Sequence, residues 1–280
     1  MDGKVIGVNS VIYSRSGGNV GIGFSIPARL VQRVVADLRK YGQVQRGWLG
    51  VGIQPVDQAI ADSVGLKAAK GAMVTNVVEG DPADKAGVKS GDVILEFDGK
   101  EISDTRALLR AVADASAGRK APLVVWRDGA KKTLYVQVGQ MKPDDEKPAD
   151  DKGGQKKKEA VPAVNGSVEA LGLTMAAITD ETRKQMQLPD KAIGVVVTKV
   201  DRMSEAAQKD IKRGDIIARI GDKEVKSPAE AKAAIDAEKK SGRATILIRV
   251  RRGDNYLFYA LKANPEQKPA KKPEKKPDGE

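Results

Sequence analysis

The stretch SGDVILEFDGKEI around Gly91 returns as RGDIIARIGDKEV around Gly214, 123 residues further on. Asp92 and Lys100 keep that offset in Asp215 and Lys223. WLGV at Gly50 and ALGL at Gly172 lie 122 apart, and RDG at Gly129 and RRG at Gly253 lie 124 apart. A period this long is far beyond solenoid repeats. It marks a duplicated domain of about a hundred residues, large enough to bury its own core.

Each copy reads as the same series of elements. A glycine-bearing loop leads into a strand (51–56; 173–178), and an apolar strand follows, GAMVTNVV or AIGVVVTKV. A short helix comes next. In the first copy Asp81 is its N-cap, Pro82 its first residue and Gly87 its stop. A Gly-Asp turn opens strands 92–97 and 215–220. A longer helix then starts near Ser103 or Asp104, and at Ser227-Pro228-Ala229-Glu230, a capping box with proline inside it. Two closing strands meet across WRDGAKK or VRRGDNY. The fold class expected is α+β, mostly β: two small, partly open β-barrels with two helices each.

Composition punctuates this plan. Residues 141–164 and 265–280 are rich in proline and charge and poor in large apolar groups. They read as a disordered linker and a disordered Lys/Pro tail around domains at 43–140 and 165–264. Such a linker lets two weak sites act together. Residues 1–42 differ. Lys4–Val8 and Val20–Ile26 read as strands across a Ser16-Gly17-Gly18-Asn19 turn. Leu30, Val31, Val34, Val35 and Leu38 then form one helical stripe that Gly42 ends.

The chain has no cysteine and no histidine. Disulfides, thiol chemistry, most metal sites and a histidine general base are therefore excluded, and no cofactor or metal is expected. Lys and Arg number 49 against 38 Asp and Glu, but aromatics make up only 4%. Stacking platforms are too few for a single-strand nucleic-acid binder. No apolar run reaches membrane-spanning length, and the first residues do not resemble a signal peptide.

The chemistry lies in Arg46-Gly47-Trp48-Leu49-Gly50-Val51. A glycine without Cβ lets a ligand oxygen approach the backbone, and convergent N–H groups form an anion nest. Gly50-Val51-Gly52 lacks the third glycine and the following helix of a dinucleotide loop. The loop and the order of elements resemble a PDZ domain of the bacterial, permuted kind. That resemblance implies that Arg46, Trp48, Leu49, Gly50 and Val51 receive a peptide's C-terminal carboxylate. The peptide would add as a strand beside 51–56, in a groove lined by Ile53, Leu108 and Val112; Leu108 and Val112 read equally well as core. The second loop, Leu171-Gly172-Leu173, has Val168 and Glu169 where the first has Arg46, so its charge repels a carboxylate and weaker binding is expected there.

With two such domains behind it, GKVIGVNSVIYSRSGGNVGIGFSIP resembles the end of the protease barrel in HtrA/DegP ("Do") periplasmic serine endoproteases. The resemblance implies that residues 1–42 are a remnant of a trypsin-like domain. Gly21, Gly23 and Phe24 would then be a remnant of the specificity pocket. It places the nucleophile, histidine and aspartate outside this sequence, so no catalytic residue is expected in the chain as written. It also implies that Met1 is an internal methionine and that family trimerisation is lost. The parent family acts in the periplasm; a chain truly starting at Met1 would stay in the cytoplasm. The partners implied are C-terminal or extended segments of misfolded proteins, with no nucleic acid and no stable membrane insertion. A stand-alone adaptor or holdase without proteolysis, and a polyanion binder using the lysine tail, remain open at this point.

Overall fold

The computed structural model describes residues 3–14, 17–141, 168–186, 188, 192–253 and 255–263. The expected tail, and the expected linker apart from Met141, lie outside the described residues. At the front, β1 (Gly7–Ile12) and β2 (Gly23–Pro27) form a two-stranded antiparallel sheet followed by α1 (Ala28–Tyr41). β2 starts later than Val20, because Gly21 takes positive φ ahead of the ladder, and β1 starts later than Lys4, because its partner strand ends at Pro27, opposite Gly7. Gly42 ends α1 in the left-handed region and donates its N–H to the Leu38 carbonyl. No residue of α1 is buried. It contacts the first repeat through Arg33, which donates to Asp114 and to the Ala113 carbonyl, each at 2.9 Å, and through Asp37, which accepts from Gln45 N–H at 3.2 Å.

The first repeat contains β3 (Gly47–Trp48), β4 (Val51–Pro55), α2 (Gln58–Ser63), β5 (Ala72–Val77), α3 (Pro82–Lys85), β6 (Val93–Phe97), β7 (Lys100–Glu101), α4 (Thr105–Ala113), β8 (Lys120–Arg127), β9 (Ala130–Gln137) and β10 (Gly139–Gln140). Its main sheet runs β4-β5-β6-β8-β9, with β7 beside β6; β3 pairs with β10 instead. The second repeat contains β11 (Val168–Ala170), β12 (Leu173–Ala177), α5 (Asp180–Met186), β13 (Val195–Val200), α6 (Glu205–Gln208), β14 (Ile216–Ile220), β15 (Lys223–Glu224), α7 (Pro228–Lys240), β16 (Thr245–Arg252) and β17 (Asn255–Lys262). Its order is β11-β12-β13-β14-β16-β17, with β15 beside β14.

Both sheets are open, and among the described residues each repeat has three helices rather than the expected two. The extra helices α2 and α5 are too short to show a hydrophobic period, and side-chain caps set them. Asp57 accepts from the Ile60 N–H at 2.7 Å, and Thr179 accepts from the Thr182 N–H at 3.2 Å. The capping box of α7 also differs slightly. Ser227 accepts from the Glu230 N–H at 3.3 Å, but the Glu230 carboxylate reaches Lys226 N–H, one residue earlier than the simple pattern.

The Gly-Asp motif has the same task in both copies. Asp92 is 1% exposed; it accepts from Lys89 N–H and takes two 2.6 Å hydrogen bonds from Arg127. Asp215 does the same with Lys212 N–H and Arg252, each arginine bond at 2.7 Å. The bonds to these aspartates hold both guanidinium pKa values above the ordinary arginine range. Arg127 faces Ala130 and Arg252 faces Asn255 across the closing hairpins. The equivalent arginines are therefore 125 apart, one more than the glycine spacing suggested.

The repeats are packed together. Ala72 and Val74 of β5 point into the first core, while Met73 points the other way, with Val93 and Leu95, onto Phe258 and Ala260 of β17. Burial on both faces explains why GAMVTNVV is apolar without alternation. Gln54 of β4 works as a peptide group at this seam: it donates to the Phe258 carbonyl at 2.9 Å and accepts the Phe258 N–H at 2.7 Å. Arg249 donates to the Thr75 carbonyl at 3.1 Å and stacks 4.0 Å from the Tyr256 ring. Burial pushes its pKa down. The two repeats therefore meet as docked bodies and not solely through the tether inferred from composition.

Candidate functional site

The first loop is built by two glycines and an aspartate. Gly47 brings β3 against the end of α4, where a Cβ would overlap the Val112 carbonyl. Gly50 has φ +76°, and its Cβ would run into the Asp81 side chain. Its glycine is thus required by chain conformation and by Asp81, a reason separate from ligand approach. The carbonyls of Leu49 and Gly50 are pinned inward, accepting from Ala83 N–H at 2.8 Å and Val78 N–H at 2.9 Å. Among the described residues, the Leu49 and Gly50 amides donate to no other backbone or side-chain group. Trp48 spends its indole N–H on the Asp81 carboxylate at 2.8 Å. Arg46 is exposed at the loop's start, and its carbonyl accepts from Met141 N–H.

β4 forms the end of its sheet, and no described strand pairs with its outer edge. Leu49 is 3% exposed in the core, and Val51 and Ile53 are half-buried against the same cluster. Leu108 and Val112, expected as groove lining, are 2% and 9% exposed and belong to the first core, because the inner stripe of α4 seals the sheet. The groove side chains left partly accessible are Val51 and Ile53, with Ala111 of α4.

The second loop has a different backbone. Leu171 and Gly172 both take positive φ, 55° and 74°. This is the pattern of a primed two-residue hairpin turn. β11 accordingly pairs back on β12, with Val168 opposite Met175, Glu169 opposite Thr174 and Ala170 opposite Leu173. The edge that is open in β4 is covered in β12. Leu173 is buried at 2%, and Gly172 abuts Ser204 where Gly50 abuts Asp81.

A family model described as "PDZ domain" matches residues 47–138 and again 169–262. The chain belongs to the PDZ-domain family. The expected HtrA/DegP resemblance is borne out as well. The chain is 42% identical over 261 residues to a "Probable periplasmic serine endoprotease DegP-like" of Bartonella henselae, covering 93% of this chain and 49% of the relative. It is 39% identical over 270 residues to the protein of that name in Brucella suis biovar 1, covering 95% and 49%. The chain spans about half the length of these curated relatives. A solved structure, "HtrA-type protease AlgW with decapeptide", is 42% identical with a TM-score of 0.44, over 50% of this chain and 43% of that one.

Outside the PDZ domains, Gly21 lies in the front turn, and Gly23 and Phe24 in β2, where Phe24 is 54% exposed. Gly23 and Phe24 border a shallow hollow of about 470 Å³ with residues 9–12. Among the described residues, no group of three His, Cys, Asp or Glu is placed to hold a metal ion, and no helix is long and apolar enough to cross a membrane. Sequence reasoning read Asp81 only as a helix cap and passed over Gly47. The signal for both was present: Asp81 and Ser204 differ across the duplication, and Gly47 sits three residues before the loop glycine.

Proposed function

We propose that the first PDZ domain captures free C-termini or extended segments of misfolded proteins, as the substrate-recognition region of an HtrA/DegP-type serine endoprotease. The reading assigns the chain to protein quality control in the periplasm, the compartment that the names of its relatives carry. One observation carries it: β4, whose outer edge no described strand covers, continues directly from a loop whose Leu49 and Gly50 amides donate to no group among the described residues. An incoming peptide supplies what both lack. Its backbone extends the sheet beside β4, and its carboxylate accepts from the amides, each such charge-assisted bond worth about 1.5–3 kcal/mol.

The chain itself does not cleave what it binds. It has no histidine, so a Ser-His-Asp relay cannot be assembled from its own residues. Residues 1–42 are read as the edge of a protease domain, supported by exposed apolar groups on both strands and on α1 (Val11, Ile12, Phe24, Leu30, Leu38). The second PDZ domain, with its edge covered, serves as a structural partner of the first. Titration of the full chain with fluorescently labelled peptides of one sequence, free-acid and carboxy-amidated, tests the reading. The acid form is expected to bind at least about tenfold more tightly; equal affinities would refute carboxylate recognition.

A further inference from the structure

Asp81 puts a negative charge behind a loop read as a receptor for negative charge. Its carboxylate lies against the α-carbon of Gly50, close enough that a Cβ there would overlap it. Trp48 fixes it in that place through the 2.8 Å indole hydrogen bond. Asp81 occupies the N-cap of α3 yet makes no side-chain capping bond, the ordinary use of aspartate at such a position. In the second repeat the equivalent residue is Ser204, which is uncharged and does cap its helix, accepting from Ala207 N–H at 3.2 Å. The first repeat has thus turned a cap outward and latched it beneath the loop.

We propose that Asp81 is a specificity-determining residue of the first PDZ domain, one that weakens its grip on terminal carboxylates relative to uncharged chain segments. The inference rests on the peptide-binding reading above. A ligand carboxylate on the Leu49 and Gly50 amides meets a like charge nearby, on the side chain that abuts Gly50. Like-charge juxtaposition lowers affinity selectively for the charged ligand. Amidated or internal segments, held by the β4 edge and by Val51 and Ile53, are not penalised. The loop therefore favours capture with ready release, and it narrows the gap between chain ends and extended interior segments.

The test compares the full-length wild type with Asp81→Asn, using one labelled peptide as free acid and as amide. Asparagine keeps the volume and an oxygen acceptor for Trp48 while removing the charge. The variant is expected to raise the acid-to-amide affinity ratio about two- to fivefold, the range of a partly screened charge pair. The gain should shrink as salt rises. Trp48→Phe, which frees Asp81 to swing away, should shift the acid-to-amide ratio in the same direction by less, and it keeps the test decisive if Asp81→Asn melts early. If wild type prefers the acid but neither variant changes that ratio, Asp81 does not set specificity and the inference falls alone. If wild type binds acid and amide equally, the carboxylate reading falls and takes this inference with it.

Discussion

The two PDZ domains share a buried scaffold and part company at one turn. Both hold a Gly-Asp turn with a closing-strand arginine, and both bury a continuous apolar cluster beneath an open sheet. At Leu49-Gly50 only the glycine has positive φ, and β3 leaves to pair with β10; at Leu171-Gly172 both residues do, and β11 folds back onto β12. A change of one leucine's backbone region thus separates an available strand edge from a covered one. Duplication preserved what holds the domain together and altered what it presents.

The shared scaffold should respond alike in both domains. Replacing Arg127 or Arg252 by leucine strands a buried aspartate and should cost about 3–5 kcal/mol. The effect should be somewhat smaller for Arg252, whose side chain is 34% exposed against 17% for Arg127. Urea unfolding reads both losses. The loops, by contrast, should respond unequally. Gly50→Val forces a β-branched residue to positive φ against Asp81 and should abolish peptide binding by fluorescence anisotropy, whereas Gly172→Val should leave peptide affinity intact. At the seam, Gln54→Ala removes both hydrogen bonds to Phe258. A loss of about 1–3 kcal/mol is expected, with faster hydrogen exchange at the Phe258 amide.

Opening the covered edge is a smaller intervention. Ala170→Pro disrupts the β11 ladder, since Ala170 pairs with Leu173 next to the two-residue turn and proline cannot donate there, and should create a second, weak peptide site visible as increased stoichiometry. The smallest effect concerns acid. The Ala107 N–H holds the Asp104 carboxyl below the usual aspartate range at the start of α4. That stabilisation is complete above the unfolded pKa of about 3.9 and is lost as pH falls through the lower folded value. α7 starts on Ser227, which does not titrate there, so hydrogen exchange below pH 4 should rise in α4 more than in α7, and Asp104→Asn should flatten the difference.

Much of this was legible because duplication supplies an internal control. Asp92 and Asp215, the caps at Asp104 and Ser227, and the glycine loops stood out as paired signals with a local cause. What escaped were features set by tertiary contact. Leu108 and Val112 have the helical spacing of either a groove wall or a core stripe, and packing against β4 and β6 decides for the core. Phe258 carries no mark in sequence that it will cross to the other repeat. The second loop was expected to be weak because Glu169 repels a carboxylate; that β11 would lie on the neighbouring strand edge was not read from the sequence.

Calorimetric titration of the full chain with a free-acid peptide, with backbone amide shifts followed by NMR, addresses the contrast between the domains directly. One site per chain, with the largest shifts at Leu49, Gly50 and residues 51–55 and none at 171–177, is the expected result. Two equivalent sites, or shifts centred on Leu171 and Gly172, would contradict it.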